Sequence, residues 1–286
     1  GDFAGASGSL RVRALGPGTR AEALEYVRGG LPEDLLLLDL LGLPAGRDPS
    51  GAMVRGMGAW QAGRLVGVAL SHPTVLLDSR MAPEVLEALC GPLETLQGGL
   101  LKSAEGPVAM LWDRLAACGR RLTLDRMETG LLLRPGESKG TSSPPGPTLR
   151  AARREDLDAL VGIARASLRE EGRPDPGDFD PRGFRRWVDS RLSRARILDV
   201  DGEVAWAGYA DVRRREGWLI QGVYTRPPLR GRGLARAGMA GLIAEARAAG
   251  ADHVQLTVVD GNDAAHRLYR GLGFEPYGRV RTLVFA

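Results

Sequence analysis

The chain has 286 residues, 43% hydrophobic and 26% charged, with a formal net charge of +4. That length suggests two domains with sizeable cores, and the composition is ordinary for a globular protein. No run of about 18 apolar residues occurs, so no membrane-spanning helix is expected, and the basic residues, nearly all Arg, are mixed with acids, so the surface reads as solvated rather than built for nucleic acid.

In chain order, Leu10–Leu15 reads as an opening strand. Thr19 and Glu22 make a capping-box pattern ahead of a helix. Leu31–Leu41 gives a second helix. Trp60 to Gly67 reads as a hairpin and Val75–Leu77 as a further strand. Helices follow over Pro83–Leu89 and Ala109–Ala117. The segment RPGESKGTSSPPGP cannot bury apolar area, so residues 135–147 are expected to be a linker between domains 1–134 and 148–286.

Beyond it, Thr148–Ala152 is a short strand. Leu157, Leu160, Val161, Ala164 and Leu168 recur at helical spacing. A second helix lies around Phe184–Leu192. Strands at Arg196–Val200 and Val204–Val212 flank the turn pair Asp201-Gly202. Trp218–Thr225 is a strand, Gly233–Ala249 a helix, His253–Val259 a strand and Asn262–Gly271 a helix. One or two strands end the chain. The order is βααβββαβαβ, and the first half repeats it loosely, as a diverged duplication would.

Cys90 and Cys118 are the only cysteines, and His72, His253 and His266 are scattered. No metal-ligand spacing exists, and both thiols are expected to be buried in a reducing, cytoplasmic setting. The N-terminus has no basic-then-apolar pattern, so no signal peptide is expected.

Arg230-Gly231-Arg232-Gly233-Leu234-Ala235 lies between a strand and a helix. Two glycines let several backbone N–H groups point into one concavity, and the helix N-terminus adds unpaired N–H groups and partial positive charge. That combination suits a pyrophosphate. It is neither a Walker loop nor a dinucleotide fingerprint. About 30 residues on comes Asn262-Asp-Ala-Ala265-His-Arg-Leu268-Tyr269-Arg-Gly-Leu-Gly273-Phe274.

Together, Arg-x-x-Gly-x-Ala after Val223-Tyr224-Thr225 and the Asn-to-Phe helix resemble the acetyl-CoA signature of the GNAT acetyltransferase superfamily. The resemblance implies a mixed α/β fold: tandem domains, each a central, mostly antiparallel sheet flanked by helices, the first a degenerate copy. It implies an N-acetyltransferase that moves acetyl directly from acetyl-CoA to an amine, with no covalent intermediate and no metal. It places the pyrophosphate on Arg230, Gly231, Arg232, Gly233, Leu234 and Ala235, the pantetheine arm along Val223, Tyr224 and Thr225, and further cofactor contacts at Asn262 and Ala265.

By the same resemblance Tyr269 points at the CoA sulfur, and a phenol stays protonated at neutral pH and can protonate a thiolate. Asn262 either bridges the pantetheine or caps its helix. Glu216 is the candidate base, with Glu170, Glu171 or a water chain as alternatives. Gln221 points to one face of the central strand. The expected partner is a small-molecule amine, with neither nucleic acid nor membrane; a homodimer is compatible. A binding module without turnover is the competing reading, and a nucleic-acid site at Arg213–Arg215 the least favoured. In the first half, Asp78 stands where the second half has basic loop residues, and Leu111-Trp112 echoes Leu268-Tyr269 without a hydroxyl. That half is expected not to bind acyl-CoA.

Overall fold

The computed structural model describes residues 9–134, 136 and 147–286. Most of the expected linker therefore lies outside the described residues. The chain divides into two compact units. Unit 1 takes the chain up to Thr129 together with Gly278–Ala286, and unit 2 is Gly130–Tyr277.

Unit 1 begins with β1 (Arg11–Ala14), α1 (Arg20–Arg28) and α2 (Leu35–Gly42). It continues with β2 (Arg55–Gln61), β3 (Arg64–His72), β4 (Leu76–Leu77) and α3 (Pro83–Leu93). Next are β5 (Gly99–Ala104), α4 (Glu105–Ala117) and β6 (Leu122–Leu133), whose last four residues lie in unit 2. Strands β1 to β4 form an antiparallel sheet in chain order. One cluster packs α1 and α2 through Val27, Leu37 and Leu38, and another packs α3 and α4 through Leu86, Leu89 and Leu111.

Unit 2 runs β7 (Arg150–Ala151), α5 (Leu157–Glu170), α6 (Pro181–Ser190), β8 (Ala195–Val200) and β9 (Glu203–Arg213). Then come β10 (Trp218–Thr225), α7 (Leu234–Ala248), β11 (Val254–Val259), α8 (Asp263–Leu272) and β12 (Glu275–Phe285). Strands β7 to β10 are antiparallel in chain order, with β11 parallel to β10. Period-two alternation divides β9 between two cores: Trp206 and Ala210 pack with α7 and α8, while Ala207 and Tyr209 pack with α5 and α6.

The second half shows the expected order βααβββαβαβ, and the first half, expected to repeat it only loosely, shows the same order with β5 and β6 as strands that were not expected. The last strand of each is exchanged. In unit 1, β5 pairs with β12, from Val280 opposite Ala104 to Phe285 opposite Gly99. In unit 2, β11 has β6 as its outer neighbour. Leu283 and Phe285, 0% and 2% exposed, are thereby core residues of unit 1.

Three expectations are corrected. The capping box does not form: Thr19 Oγ1 bonds Gly16, and the Glu22 carboxylate accepts from Trp60 Nε1 and Leu65 N. The second helix starts at Leu35 rather than Leu31 because Pro32 and the turn after it precede the first helical bond. Cys90 is buried, but Cys118 is exposed, since it follows the last turn of α4.

Candidate active site

The centre of unit 2 is β10. Its pairing with β9 shifts twice, between Leu219 and Ile220 and between Gln221 and Tyr224. Gly222 sits in the second irregularity at φ +60°, a conformation that side chains rarely adopt. A Cβ there would also lie 2.9 Å from the Tyr209 ring. On the other side, β10 pairs with β11 only at Trp218–Val254 and Leu219–Gln255. Beyond that pairing, from Gln221 to Thr225, the β11-facing backbone has no strand partner among the described residues. Buried backbone groups left this way need an alternative partner.

A short 3₁₀ turn, Pro227–Leu229, leads from β10 into the glycine loop. Gly231 and Gly233 have φ +75° and +78°, and Gly233 is the N-cap of α7 without a side-chain cap. Among the described residues, no backbone N–H from Gly231 to Arg236 has a hydrogen-bond partner. Four of these, from the N-cap Gly233 to Arg236, are the ordinary orphans of a helix start; the loop adds two more, at Gly231 and Arg232.

The loop arginines are not equivalent. Arg230 donates to Thr225 O and, through Nη2, to both oxygens of Glu170, at 3.0 and 2.8 Å. The Tyr224 hydroxyl donates to the same carboxylate at 2.6 Å. These contacts, the Tyr224 bond foremost, hold the Glu170 carboxyl below its usual range. Burial, with the Glu170 bond, pushes Tyr224 up to about 12. Arg236 Nη1 donates to Gly271 O at the end of α8. Arg232 is exposed and has neither hydrogen bond nor ion pair among the described residues, which leaves it free for an external anion.

On α8, Asn262 Oδ1 accepts from Ala265 N at 3.1 Å, so the side chain is the helix cap. Two turns on, Tyr269 is 6% exposed, its ring edge-on to Phe274 with centroids 5.6 Å apart. Its hydroxyl makes no hydrogen bond to the described residues, and burial raises it above the ordinary phenol range. The ring is buried, but the hydroxyl oxygen is not sealed off as a buried unpartnered atom, so a ligand can reach it.

Of the carboxylates read from sequence, Glu170 is committed to the Arg230–Tyr224 clamp. Glu216 lies in the turn before β10 and pairs with Arg214 at 3.2 Å. That is the end of the strand away from Gly222, so the structure does not bring Glu216 to the bulge. Glu171 pairs with Arg173. Gln221 stands opposite Tyr209 in the β9–β10 ladder. Arg213 donates to Ser193 O and Arg194 O and lies over the Trp218 ring, so two of the three arginines from Arg213 to Arg215 have intramolecular roles. The pairing of Arg191 with Asp211, described below, had no local sequence signal: it joins residues 20 apart through folding of α6 onto β9.

The corresponding loop of unit 1, after β4, is closed by its own carboxylates. Asp78 accepts from Val68 N at 2.7 Å and Arg80 N at 3.2 Å, and Asp34 accepts from Ser79 N at 2.8 Å. Both acids are buried. Burial is the main cause that raises both carboxyls, Asp34 to about 7 with the nearby Asp78 charge contributing. The second oxygen of Asp34 has no partner among the described residues. Trp112 on α4 packs against Phe285 at 6.4 Å.

Comparison with known proteins centres on unit 2. Residues 157–274 match the Acetyltransferase (GNAT) family. The chain is 35% identical over 102 residues to the L-methionine sulfoximine/L-methionine sulfone acetyltransferase of Pseudomonas paraeruginosa, covering 33% of this chain and 59% of that protein. The protein of the same name from Pseudomonas aeruginosa matches to the same extent. The chain thus spans less than two thirds of the length of these curated relatives. Similar solved structures include a Drosophila protein, with TM-score 0.72 and 15% identity over 96% of this chain and 98% of that one. A tandem GNAT protein from the clavulanic acid biosynthesis pathway has TM-score 0.58 and 17% identity, covering 97% of both chains. A GNAT-family acetyltransferase from Colwellia psychrerythraea has TM-score 0.59 and 14% identity, covering 96% of this chain and 100% of that one. At these identities the structures show the shared fold.

Proposed function

Starting from residues 157–274 as a GNAT acetyltransferase domain, we propose that the protein moves an acetyl group directly from acetyl-CoA to the amine of a small molecule. As sequence domains we propose 148–286 as the catalytic part, 1–134 as its degenerate partner and 135–147 as the linker. The observation that carries the reading is the run of unpartnered N–H groups from Gly231 to Arg236 at the start of α7. Such a run stabilises a pyrophosphate through short, directional hydrogen bonds and the helix dipole.

The rest of the site supports the same reading. The unpaired edge of β10 at Val223, Tyr224 and Thr225 suits the amides of a pantetheine arm. The Gly222 bulge turns backbone N–H groups out of the ladder, where they can stabilise a tetrahedral oxyanion. In the transfer step the neutral amine attacks the thioester carbon, a C–N bond forms and the C–S bond breaks. The Tyr269 hydroxyl protonates the leaving thiolate and recovers a proton from the attacking nitrogen. Holding both substrates in one site supplies the proximity and dispenses with a protein nucleophile. We retain Glu216 only as the sequence's candidate base; its distance from the bulge along β10 favours a water path for the first amine proton. Asn262 and Ala265 shape the start of α8 beside the cofactor. In unit 1 the corresponding loop N–H groups are filled by Asp34 and Asp78, which supports a partner that binds no acyl-CoA.

The test is calorimetric binding of acetyl-CoA followed by release of free CoA in the presence of an amine panel. Binding with amine-dependent release is expected. Absence of binding overturns the reading, and tight binding without release for any amine leaves a binding module instead.

A further inference from the structure

Beside the Gly222 bulge lies a charge pair that the transfer chemistry above does not use. Arg191, the residue that ends α6, donates from Nε and Nη2 to the two oxygens of Asp211, at 3.1 and 2.5 Å. Its guanidinium carbon stands 4.2 Å from the Tyr209 ring centre and 4.5 Å from that of Trp187. Arg191 Nη2 is 3.9 Å from where a Gly222 Cβ would be, so the guanidinium edge borders the bulge itself. The rings fix its plane, and the Asp211 bonds fix its rotation. Trp187 remains 42% exposed, so the cluster is open to solvent on that side.

Guanidinium has five N–H donors, and Asp211 takes two of them. The remaining donors form a free edge of the kind that recognises a planar carboxylate. Asp211 in turn keeps lone pairs for an ammonium. The pair is neutral overall, with a positive and a negative end about one hydrogen-bonded contact apart. A zwitterion complements it at both ends. A simple amine leaves the Arg191 edge unmatched beside its own positive charge, and a simple carboxylate leaves Asp211 unmatched.

We propose that the acceptor is an α-amino acid, its carboxylate held by Arg191 and its ammonium received at Asp211 before deprotonation and attack at the Gly222 bulge. The proposal rests on the acyltransferase reading above and narrows its acceptor from amines in general to α-amino carboxylates. Arg191 and Asp211 are then specificity residues for the acceptor and contribute nothing to acetyl-CoA binding.

The experiment offers acetyl-CoA with each of the twenty L-α-amino acids, with the matching carboxamides and with simple alkylamines, and follows CoA release. At least one amino acid is expected to exceed its own carboxamide in kcat/KM by about 10- to 100-fold, the worth of a charge-assisted hydrogen bond. Arg191→Lys is expected to remove most of that ratio by raising KM for the amino acid. Its KM for acetyl-CoA stays unchanged and its KM for the carboxamide moves far less than that for the amino acid; a fall in melting temperature from the altered Asp211 pair leaves that ratio as the deciding readout. Equal use of carboxamides or alkylamines overturns the proposal, as does an unaltered ratio in Arg191→Lys. So does CoA release with alkylamines but with no amino acid; that result leaves the acyltransferase reading intact. Failure to bind acetyl-CoA at all removes that reading, and the proposal with it.

Discussion

Glu170 and Arg230 fasten the end of α5 to the entrance of the glycine loop: one guanidinium nitrogen donates to both carboxylate oxygens while the Tyr224 hydroxyl donates to one of them. The loop's first arginine is thus committed to holding the loop's shape. Both partners of the ion pair are over 40% exposed, and such pairs contribute about 1 kcal/mol or less. Glu170→Gln is therefore expected to raise KM for acetyl-CoA by about 2- to 5-fold and leave kcat nearly unchanged. A matching fall in kcat would instead make Glu170 part of the chemistry.

Tyr269→Phe separates a chemical role from a packing role. Its hydroxyl has no hydrogen-bond partner among the described residues, so removing it leaves the melting temperature level or higher. As proton donor to the thiolate it is expected to lower kcat by about 100-fold with acetyl-CoA affinity preserved. Because burial raises its ionisation above the ordinary phenol range, wild-type activity should show no loss from this group up to about pH 9. Unchanged kcat in the variant removes the assignment.

Arg232 and Arg236 should part company. Arg232 is exposed and unpartnered among the described residues, so Arg232→Ala is expected to raise KM for acetyl-CoA by about 3- to 10-fold and flatten its dependence on salt. Arg236 holds the last turn of α8 through Gly271 O. Arg236→Ala is expected to cost about 1 kcal/mol of stability in urea unfolding, with a smaller effect on KM.

Asp34 ties stability to pH. Its carboxyl is raised from 3.8 to about 7 in the folded protein, by burial first and by Asp78 second. The folded state keeps a proton that the unfolded chain releases from about pH 4 upward. The stability this supplies is full below about pH 4 and is lost as pH rises to about 7, at up to about 1.4 kcal/mol per pH unit. Asp34→Asn carries no such charge, so its stability relative to wild type should be greater at pH 8 than at pH 5. Urea midpoints at the two pH values test this; an equal difference at both counts against a protonated Asp34.

Leu283 tests the exchanged strand. It is 0% exposed in the core of unit 1, so Leu283→Ala is expected to destabilise that unit by about 2–5 kcal/mol. Hydrogen exchange should localise the loss to α3 and α4, although the substitution lies 140 residues or more beyond most of that core in sequence. Loss confined to α7 and α8 would contradict the pairing of β5 with β12.

What was legible in the sequence was what chemistry fixes locally. Asp201 and Gly202, both at positive φ, make the expected two-residue turn, and Gly231 and Gly233 take the torsions that their loop context suggests. The helical periodicity of Leu157 to Leu168 marks α5. Strands β5 and β6 were not legible. Strand β6 carries Glu128, 1% exposed and paired with Lys102 and Arg126, so a charge occupies a position where alternation calls for an apolar residue. Glu22 shows a converse failure: it fits a capping box by spacing, but a tertiary donor, Trp60 Nε1, claims it. The Glu170–Arg230 and Arg191–Asp211 pairs join residues 60 and 20 positions apart. Only the folded sheet brings each together.

The exchange of β6 and β12 also sets an order of events during synthesis. Every helix of unit 1 has left the ribosome long before residues 278–286 exist, yet those residues supply the strand that covers β5. The first unit to be made is therefore the one that must wait: until residues 278–286 are made, β5 lacks its native neighbour. An open edge of that kind invites pairing with other chains. The short stretch from Gly278 to Ala286 thus completes the native pairing of β5, although it is made after every other strand of that sheet.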